Sequence, residues 1–500
     1  ADGQHVTLRG AGNAVSLLVA GTSAGGGPGG DVTGSGTVHY WDGSTSTYKL
    51  SAPDWRGGPL ATKGVALPHV NTRSGGQLAE KAKLYAVTVP VRRGQQIRSL
   101  TLPADAGPET DLHVFAASVR RAETGWTGSW RTSTAGYTAV GPWQNQTLRL
   151  VVHTSAGGSR TRIDLANTFA SAPVEIGHAS VVVQREGATG RGRPVPLSFD
   201  GRDGAVMPAG AHAVSDPVGF QVPPDTNLLV SIHLPGPVAA APVHSEAIQR
   251  SYMSGSGSGD RTQDQEGGAY TGSLEVWPFL TGVDVQGGPG SVVAFGDSIT
   301  DGVRSTQGAN VRWPDVLSRR LRAQQEVPRY GVLNQGISAN RVTSDRYPGD
   351  GVSTDTGGVS ALHRMERDVL AQPNAHTVVV FEGINDVRWG ASAEEVVAGL
   401  KKVAERAHER GIRVVGATLT PCEGYKDCFP EVEAKRSAVN AFVRDNGGTF
   451  DAVLDFDAAV RDPARPQRML PAYDSGDHLH PGDAGLKAMA DSIELKKLVP

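Results

Sequence analysis

The segment SVVAFGDSITDGVRS, residues 291–305, runs from five apolar residues directly into a polar turn with Ser298 at its centre. An apolar strand without alternation belongs to a parallel sheet covered by helices on both faces. Two more runs of the same kind follow, TVVVF (377–381) and RVVGATL (413–419). Between these two, EEVVAGLKKVAERAHERG (394–411) sets Val396, Leu400, Val403 and Ala407 on one helical face, and Gly411 ends the helix. Strand alternating with helix predicts an α/β domain with a parallel sheet over 291–500, and about 210 residues suffice for one core.

Upstream the texture differs. Short apolar or alternating stretches recur between turn clusters: AVSLLVA (14–20), TVHYW (37–41), KLYAVTVPV (83–91) and LHVFAASV (112–119). A second series follows, with TLRLVVHTS (147–155), RIDLAN (162–167), SVVVQ (180–184) and LLVSIHL (228–234). Turns come from segments such as GTSAGGGPGG (21–30), and glycine at 64 of 500 residues fits a turn-rich chain. Many short strands without a sustained helical period predict sandwich-like all-β modules. The expected organisation is a β-sandwich over 1–120, a second β-sandwich module over 121–286, a linker at 287–290 and the α/β domain over 291–500. The first boundary is placed at RRAETG (120–125), and SGSGSGDRTQDQEGG (254–268) is expected to be a mobile surface loop of the second module.

Composition narrows the function. Lys and Arg number 48 against 51 Asp and Glu, a net charge of −3. Proteins that grip phosphate backbones normally carry a basic excess, so nucleic acid is not expected as a partner. No run approaches the ~18 apolar residues of a membrane helix, which argues against integral membrane association. Mean hydropathy is −0.26. Cys422 and Cys428 sit six positions apart in TPCEGYKDCFP, a loop that can close into a local disulfide suited to an oxidising, extracellular compartment. Two free thiols are the other reading. The sequence begins ADGQHV, without a basic-then-apolar leader; a removed secretion signal and no signal at all both fit.

In open α/β sheets ligands bind beyond the carboxyl ends of the strands, which is where Ser298 falls. Its backbone N–H, near a helix start, is a ready oxyanion donor. Taken alone, Ser298 reads equally as a helix cap in a Gly-Asp-Ser turn. Two more loops reach the same rim, however. NQGISANR (334–341) brings Gly336 after a strand YGVLN (330–334), which comes second in chain order, and EGIND (382–386) brings Gly383 and Asn385 after TVVVF, the third. Backbone N–H groups and an Asn amide converging on one oxygen would stabilise a tetrahedral intermediate. Near the C-terminus, DSGDHLHPGDAG (474–485) supplies Asp477 and His480, a carboxylate and a base within four residues, before a helix expected to start at Pro481. A metal site from Asp477, His478, His480 and Asp483 is a competing reading, as is a cluster of surface polars.

As a set, GDSITDG, NQGISANR, EGINDV and DHLHP resemble the four sequence blocks of the SGNH hydrolases, the GDSL esterase/lipase family, in the family's order. The resemblance covers the last 210 or so residues. It implies a flavodoxin-like α/β/α fold, Ser298 as nucleophile, Asp477 and His480 as its triad partners, and the Ser298 N–H, Gly336 and Asn385 as oxyanion donors. This chain departs from the pattern at Ala339, where the second block often carries another glycine. Asp386 is expected to order a loop or cap a helix.

Residues 1–120, with VHYWDGSTSTYKLSAPDW (38–55) and LHVFAASV (112–119), look like the β-sandwich, carbohydrate-binding-like modules of secreted bacterial carbohydrate-active enzymes. The stretch from Trp126 through TGSWRTS (127–133) and NQTLRLVVHTSAGGSRTRIDLANTF (145–169) looks like the β-module that precedes the hydrolase domain in some secreted bacterial members. Trp41, Trp55, Trp126, Trp130 and Trp143 are read as core aromatics, with a sugar-stacking platform as the alternative. His153 and His233 are read as packed or surface residues. The expected activity is that of a secreted serine esterase without metal or organic cofactor. It leans to short-acyl esters of carbohydrate, on an ester substrate that can be polysaccharide-bound, with the oligomeric state open. A lipase or phospholipase-type esterase and a carbohydrate-binding protein with a vestigial site are the alternatives.

Overall fold

The structure, a computed structural model, describes residues 3–23, 29–104, 109–120 and 125–499. Parts of the GTSAGGGPGG turn and of the RRAETG boundary lie outside the described residues. The chain divides into two compact units, 1–123 and 124–500.

The first unit is an antiparallel sandwich. One four-stranded sheet orders His5–Ala11, Gln96–Thr101, Val32–Tyr40 and Thr45–Ala52; the other orders Thr110–Arg120, Ala14–Ser23, Ala82–Pro90 and Lys63–Leu67. Alternation explains the layering: Val15, Leu17 and Val19 are buried while Ser16 and Leu18 are only partly so. They meet Tyr40, Tyr48, Leu50, Tyr85 and Ile97 in one core. Trp41 is not part of it. It sits at the tip of a hairpin and is 58% exposed, because the turn at Asp42 to Ser44 carries it past the end of the strand.

The second unit begins with a further set of antiparallel sheets. In the largest, Ala179–Glu186, Asn227–Leu234, Gln146–His153, Ser251–Met253 and Gly272–Leu274 are neighbours; in another, Trp126–Arg131, Leu280–Gln286 and Gly158–Ala166 lie side by side. Trp130 and Trp143 are buried in this core, whereas Trp55 and Trp126 are only half-buried. The stretch 254–268 is fastened to the sheet and is not a free loop. The buried Arg149 donates to the carbonyl of Asp264 at 2.7 Å, and Ser180 Oγ donates to that of Thr262 at 2.6 Å.

The same unit continues into a five-stranded, wholly parallel sheet: β1 (Ser291–Gly296), β2 (Gly331–Gly336), β3 (Ala375–Phe381), β4 (Arg413–Ala417) and β5 (Ala452–Leu454). The spatial order is β2-β1-β3-β4-β5, the flavodoxin-like arrangement. The helices are α1 (Ser298–Asp301), α2 (Trp313–Arg322), α3 (Ala361–Met365), α4 (Ile384–Arg388), α5 (Ala393–His408), α6 (Pro430–Asp445), α7 (Phe456–Val460) and α8 (Asp483–Ser492). α5 is closed at its start by a capping box between Ser392 and Glu395, and buries Val396, Leu400, Val403 and Ala407 as the spacing requires. The helix after the DHLHP block starts later than expected. Pro481 stays extended, paired with Asp474, and Gly482 caps α8.

The edge strand β2 is not left open. Strand Trp126–Arg131 of the preceding sandwich lies against it, Ser155 Oγ accepts from Val332 N at 2.9 Å, and Ser291 Oγ accepts from Gly128 N at 3.0 Å. Covering an edge in this way satisfies backbone groups that would otherwise template unwanted pairing.

Candidate active site

Strand β1 delivers the chain to the rim of the sheet, where Asp297 caps α1 by accepting from Ile299 N at 2.9 Å. Ser298 is therefore the first residue of the helix rather than its cap, and it is 4% exposed. Position β1 lies beside β2 and β3, so the loops after all three converge at the point where the strand order reverses.

His480 reaches this point from the loop before α8. Its Nε2 lies 2.9 Å from Ser298 Oγ, and its Nδ1 lies 2.8 Å from Asp477 Oδ2. Asp477 is oriented in turn by the N–H groups of Leu479 (3.0 Å) and His480 (2.9 Å) and by the Arg304 guanidinium (3.1 Å). Burial opposes its charge, but the bonds from His480 and from these N–H groups outweigh burial and hold the Asp477 carboxyl far below the usual range. A chain of carboxylate, imidazole and hydroxyl at these distances can move a proton off Ser298.

The neighbouring His478 and Asp483 turn away from this chain. His478 Nδ1 pairs with Asp474 Oδ2 at 2.5 Å, and Asp483 accepts from Thr306 N and Oγ1 at 2.8 and 2.6 Å. A different trio, His178, His233 and Asp260, brings its ligand atoms within 4.8 Å of one another in the preceding sandwich. His153 is tied to Asp225 and Asn227.

The oxyanion side differs from expectation at one position. Gly336 N–H already donates to Asn334 Oδ1 at 2.9 Å, so it is not free for a substrate oxygen. Its lack of a side chain has another cause: a Cβ there would lie 2.2 Å from the backbone N of Asp301 in α1. Three residues on, Ala339 is held at φ 64°, and its N–H has no partner among the described residues. That is the position where glycine was expected on resemblance, and its left-handed backbone is the physical reason glycine suits it. Asn385, 2% exposed at the start of α4, gives one amide proton to the carbonyl of Asn340 at 2.9 Å, leaving the second. Asp386 does what its place suggested, accepting from Val342 N at 2.8 Å and Thr343 N at 3.2 Å and so ordering the loop that follows Asn340.

Beneath the serine lies a buried acidic layer that sequence reading did not single out. Burial pushes Asp297 up to about 6, with Asp386 adding to the rise while the Ile299 N–H, His480 and Arg388 oppose it. Glu382 is raised as well, by burial and by Asp297 against the pull of the Arg364 guanidinium, and among the described residues neither of its carboxylate oxygens has a hydrogen-bond partner. Asp386 is raised by its own burial. Burial favours the protonated form of all three acids, and mutual repulsion adds to it at Asp297 and Glu382.

Residues 294–488 match the GDSL-like lipase/acylhydrolase family. No curated protein matches the chain. Among solved structures, a lipolytic-family G-D-S-L protein from Desulfitobacterium hafniense DCB-2 is 22% identical over 40% of this chain and 96% of its own, with a TM-score of 0.31. An acetyl xylan esterase, AlAXEase, is 22% identical over 40% and 96%, with a TM-score of 0.30. A member of the lipolytic protein G-D-S-L family from Veillonella parvula DSM 2008 is 17% identical over 40% and 94%, with a TM-score of 0.29. With the family match and the parallel-sheet topology together, residues 294–488 of this chain form a GDSL-type domain of the SGNH hydrolase family.

Proposed function

We propose that the chain is a secreted serine esterase whose reaction runs through Ser298, His480 and Asp477. The observation that carries this reading is the unbroken relay from Asp477 Oδ2 through the His480 ring to Ser298 Oγ, at 2.8 and 2.9 Å. Ser298 Oγ attacks the ester carbonyl carbon as His480 Nε2 takes its proton, and the carbonyl electrons move onto oxygen. The N–H groups of Ser298 and Ala339 and the Asn385 amide receive that oxyanion. Collapse expels the alcohol, which leaves with the proton from His480. Water then attacks the acyl-enzyme with the same imidazole as base, releasing the acid and restoring Ser298. Asp477 keeps the imidazole in the tautomer this requires.

The substrate class is drawn from the surroundings. The loop 344–358 is polar and is pinned by an Arg346–Asp355 ion pair, with Tyr347 buried against Phe169. It offers no amphipathic lid of the kind aggregated lipid would favour. Short acyl groups on a hydrophilic alcohol, carbohydrate above all, are the substrates this rim suits. Trp41, exposed on the first unit, is a free aromatic face of the kind that stacks on sugar rings. The Cys422–Cys428 disulfide supports an oxidising, extracellular setting.

Release of acetate from acetylated polysaccharide, compared with release of acyl groups of increasing length from p-nitrophenyl esters, tests the substrate class. Activity that rises with chain length, with no acetate released from polysaccharide, would overturn it.

A further inference from the structure

The amide of Asn385 has two orientations that differ only by exchange of its oxygen and nitrogen, and only one of them donates to an oxyanion. What selects between them is Arg388, one helical turn along α4. Its Nη1 donates to Asn385 Oδ1 at 2.8 Å. A guanidinium has donors and no acceptor, so it can face only the oxygen of that amide. On the other side the Asn340 carbonyl can face only the nitrogen. The two together hold the amide with one N–H spent and the other left for the substrate.

Arg388 is itself held from outside α4. Its Nε and Nη2 form a two-pronged bond with Asp427 Oδ1 and Oδ2 at 2.8 and 2.9 Å, and its side chain is 5% exposed. Asp427 belongs to the small ring closed by Cys422 and Cys428, which is tightened by bonds from Tyr425 N to Cys422 O and from Cys428 N to Tyr425 O, both 3.0 Å. Tyr425 of the same ring covers the Arg388 guanidinium at 4.4 Å and stands edge-on to the His480 imidazole at 6.4 Å.

We propose that Arg388, anchored by Asp427 of the Cys422–Cys428 ring, is a positioning residue that fixes the Asn385 amide for oxyanion binding. This rests on Asn385 acting as an oxyanion donor. Lysine cannot replace Arg388, because a single ammonium cannot hold Asp427 at two points and Asn385 at a third.

The test is a double-mutant cycle on p-nitrophenyl acetate hydrolysis with Arg388→Gln, Arg388→Lys and Asp427→Asn, each alone and combined with Asn385→Ala. With Asn385 present, each change lowers kcat by roughly 10- to 10²-fold, the scale of a misplaced catalytic group, and leaves KM little altered. In the Asn385→Ala background the same changes have almost no further effect on kcat. Equal losses in both backgrounds would mark Arg388 as merely structural and overturn the proposal, as would wild-type kcat in Arg388→Gln. Should Arg388→Gln fail to fold, Arg388→Lys and Asp427→Asn carry the same comparison. Wild-type kcat in Asn385→Ala alone would instead overturn the oxyanion reading on which the proposal rests.

Discussion

His244 of the preceding sandwich and Asp301 of α1 form a buried pair, with Nε2 and Oδ1 3.0 Å apart and each side chain 3% exposed. Asp301 also accepts from Ser338 N at 3.0 Å, so one carboxylate ties the serine helix to the loop that carries Ala339. The other His244 nitrogen faces the Ser133 carbonyl at 3.0 Å. The sandwich that begins the second unit is thus part of the support of the site. It is not simply strung before it.

Burial works against the His244 imidazolium, yet Asp301 and the Ser133 carbonyl outweigh burial and the nearby Arg312, so His244 titrates above its ordinary value. A raised histidine contributes stability that is complete below the unfolded value of about 6.5 and fades as pH rises through the folded one. Denaturant unfolding of the wild type should therefore show a loss of stability on going upward from pH 6.5. His244→Ala should lack that slope, and should lose on the order of 3 kcal/mol at pH 6 because it strands the Asp301 charge. A variant with the wild-type slope would show that His244 does not titrate in this pair.

Asp297 gives the opposite kind of test. Its folded value of about 6 lies above the unfolded carboxyl value near 3.9, so the folded state holds its proton more tightly. That contribution is complete below about pH 3.9 and is lost by about pH 6. Asp297→Asn keeps an oxygen to cap Ile299 and removes the charge. Its unfolding free energy at pH 7 should exceed that of the wild type by on the order of 2 kcal/mol, and the two should converge near pH 4. Equal stability at pH 7 would contradict the account of the buried acids.

Ala339 and Gly336 separate a donor from a spacer. Ala339→Gly relieves a left-handed backbone at an L residue and keeps the N–H, so it should raise stability by about 1 kcal/mol with kcat little changed. Gly336→Ala should damage both stability and turnover, because the added carbon meets the backbone of α1. A harmless Gly336→Ala would contradict the close approach of α1 to this strand.

Much of this was legible in the sequence, for reasons that particular residues show. The runs at 291–295, 377–381 and 413–419 became parallel strands because nothing but a doubly covered sheet hides that many consecutive apolar side chains. β5 went unseen, since three residues leave no periodicity to read. Ser298, Asp477 and His480 stood out because each lies in a turn-rich motif. Asp427, His244 and Asp301 did not, because each has meaning through a partner far along the chain, and Arg388 did not because its hold on nearby Asn385 is fixed by the distant Asp427. Gly336 is expected as an oxyanion donor from its place after the second strand and from the resemblance, whereas its glycine is dictated by helix contact and its N–H is spent on Asn334, the unspent N–H lying three residues later at Ala339. Pro481 fits a first helical position, but its pairing with Asp474 holds it outside the helix.

The central claim is that Ser298 is the nucleophile of an ester hydrolase, and trapping the acyl-enzyme tests it most directly. Wild-type protein mixed with excess p-nitrophenyl acetate and quenched in acid should carry an acetyl group on the peptide containing Ser298, located by mass spectrometry. Ser298→Ala should carry none, and should lose roughly 10³-fold or more in turnover. Acetyl on a different residue, or near-wild-type turnover by folded Ser298→Ala, would contradict the account.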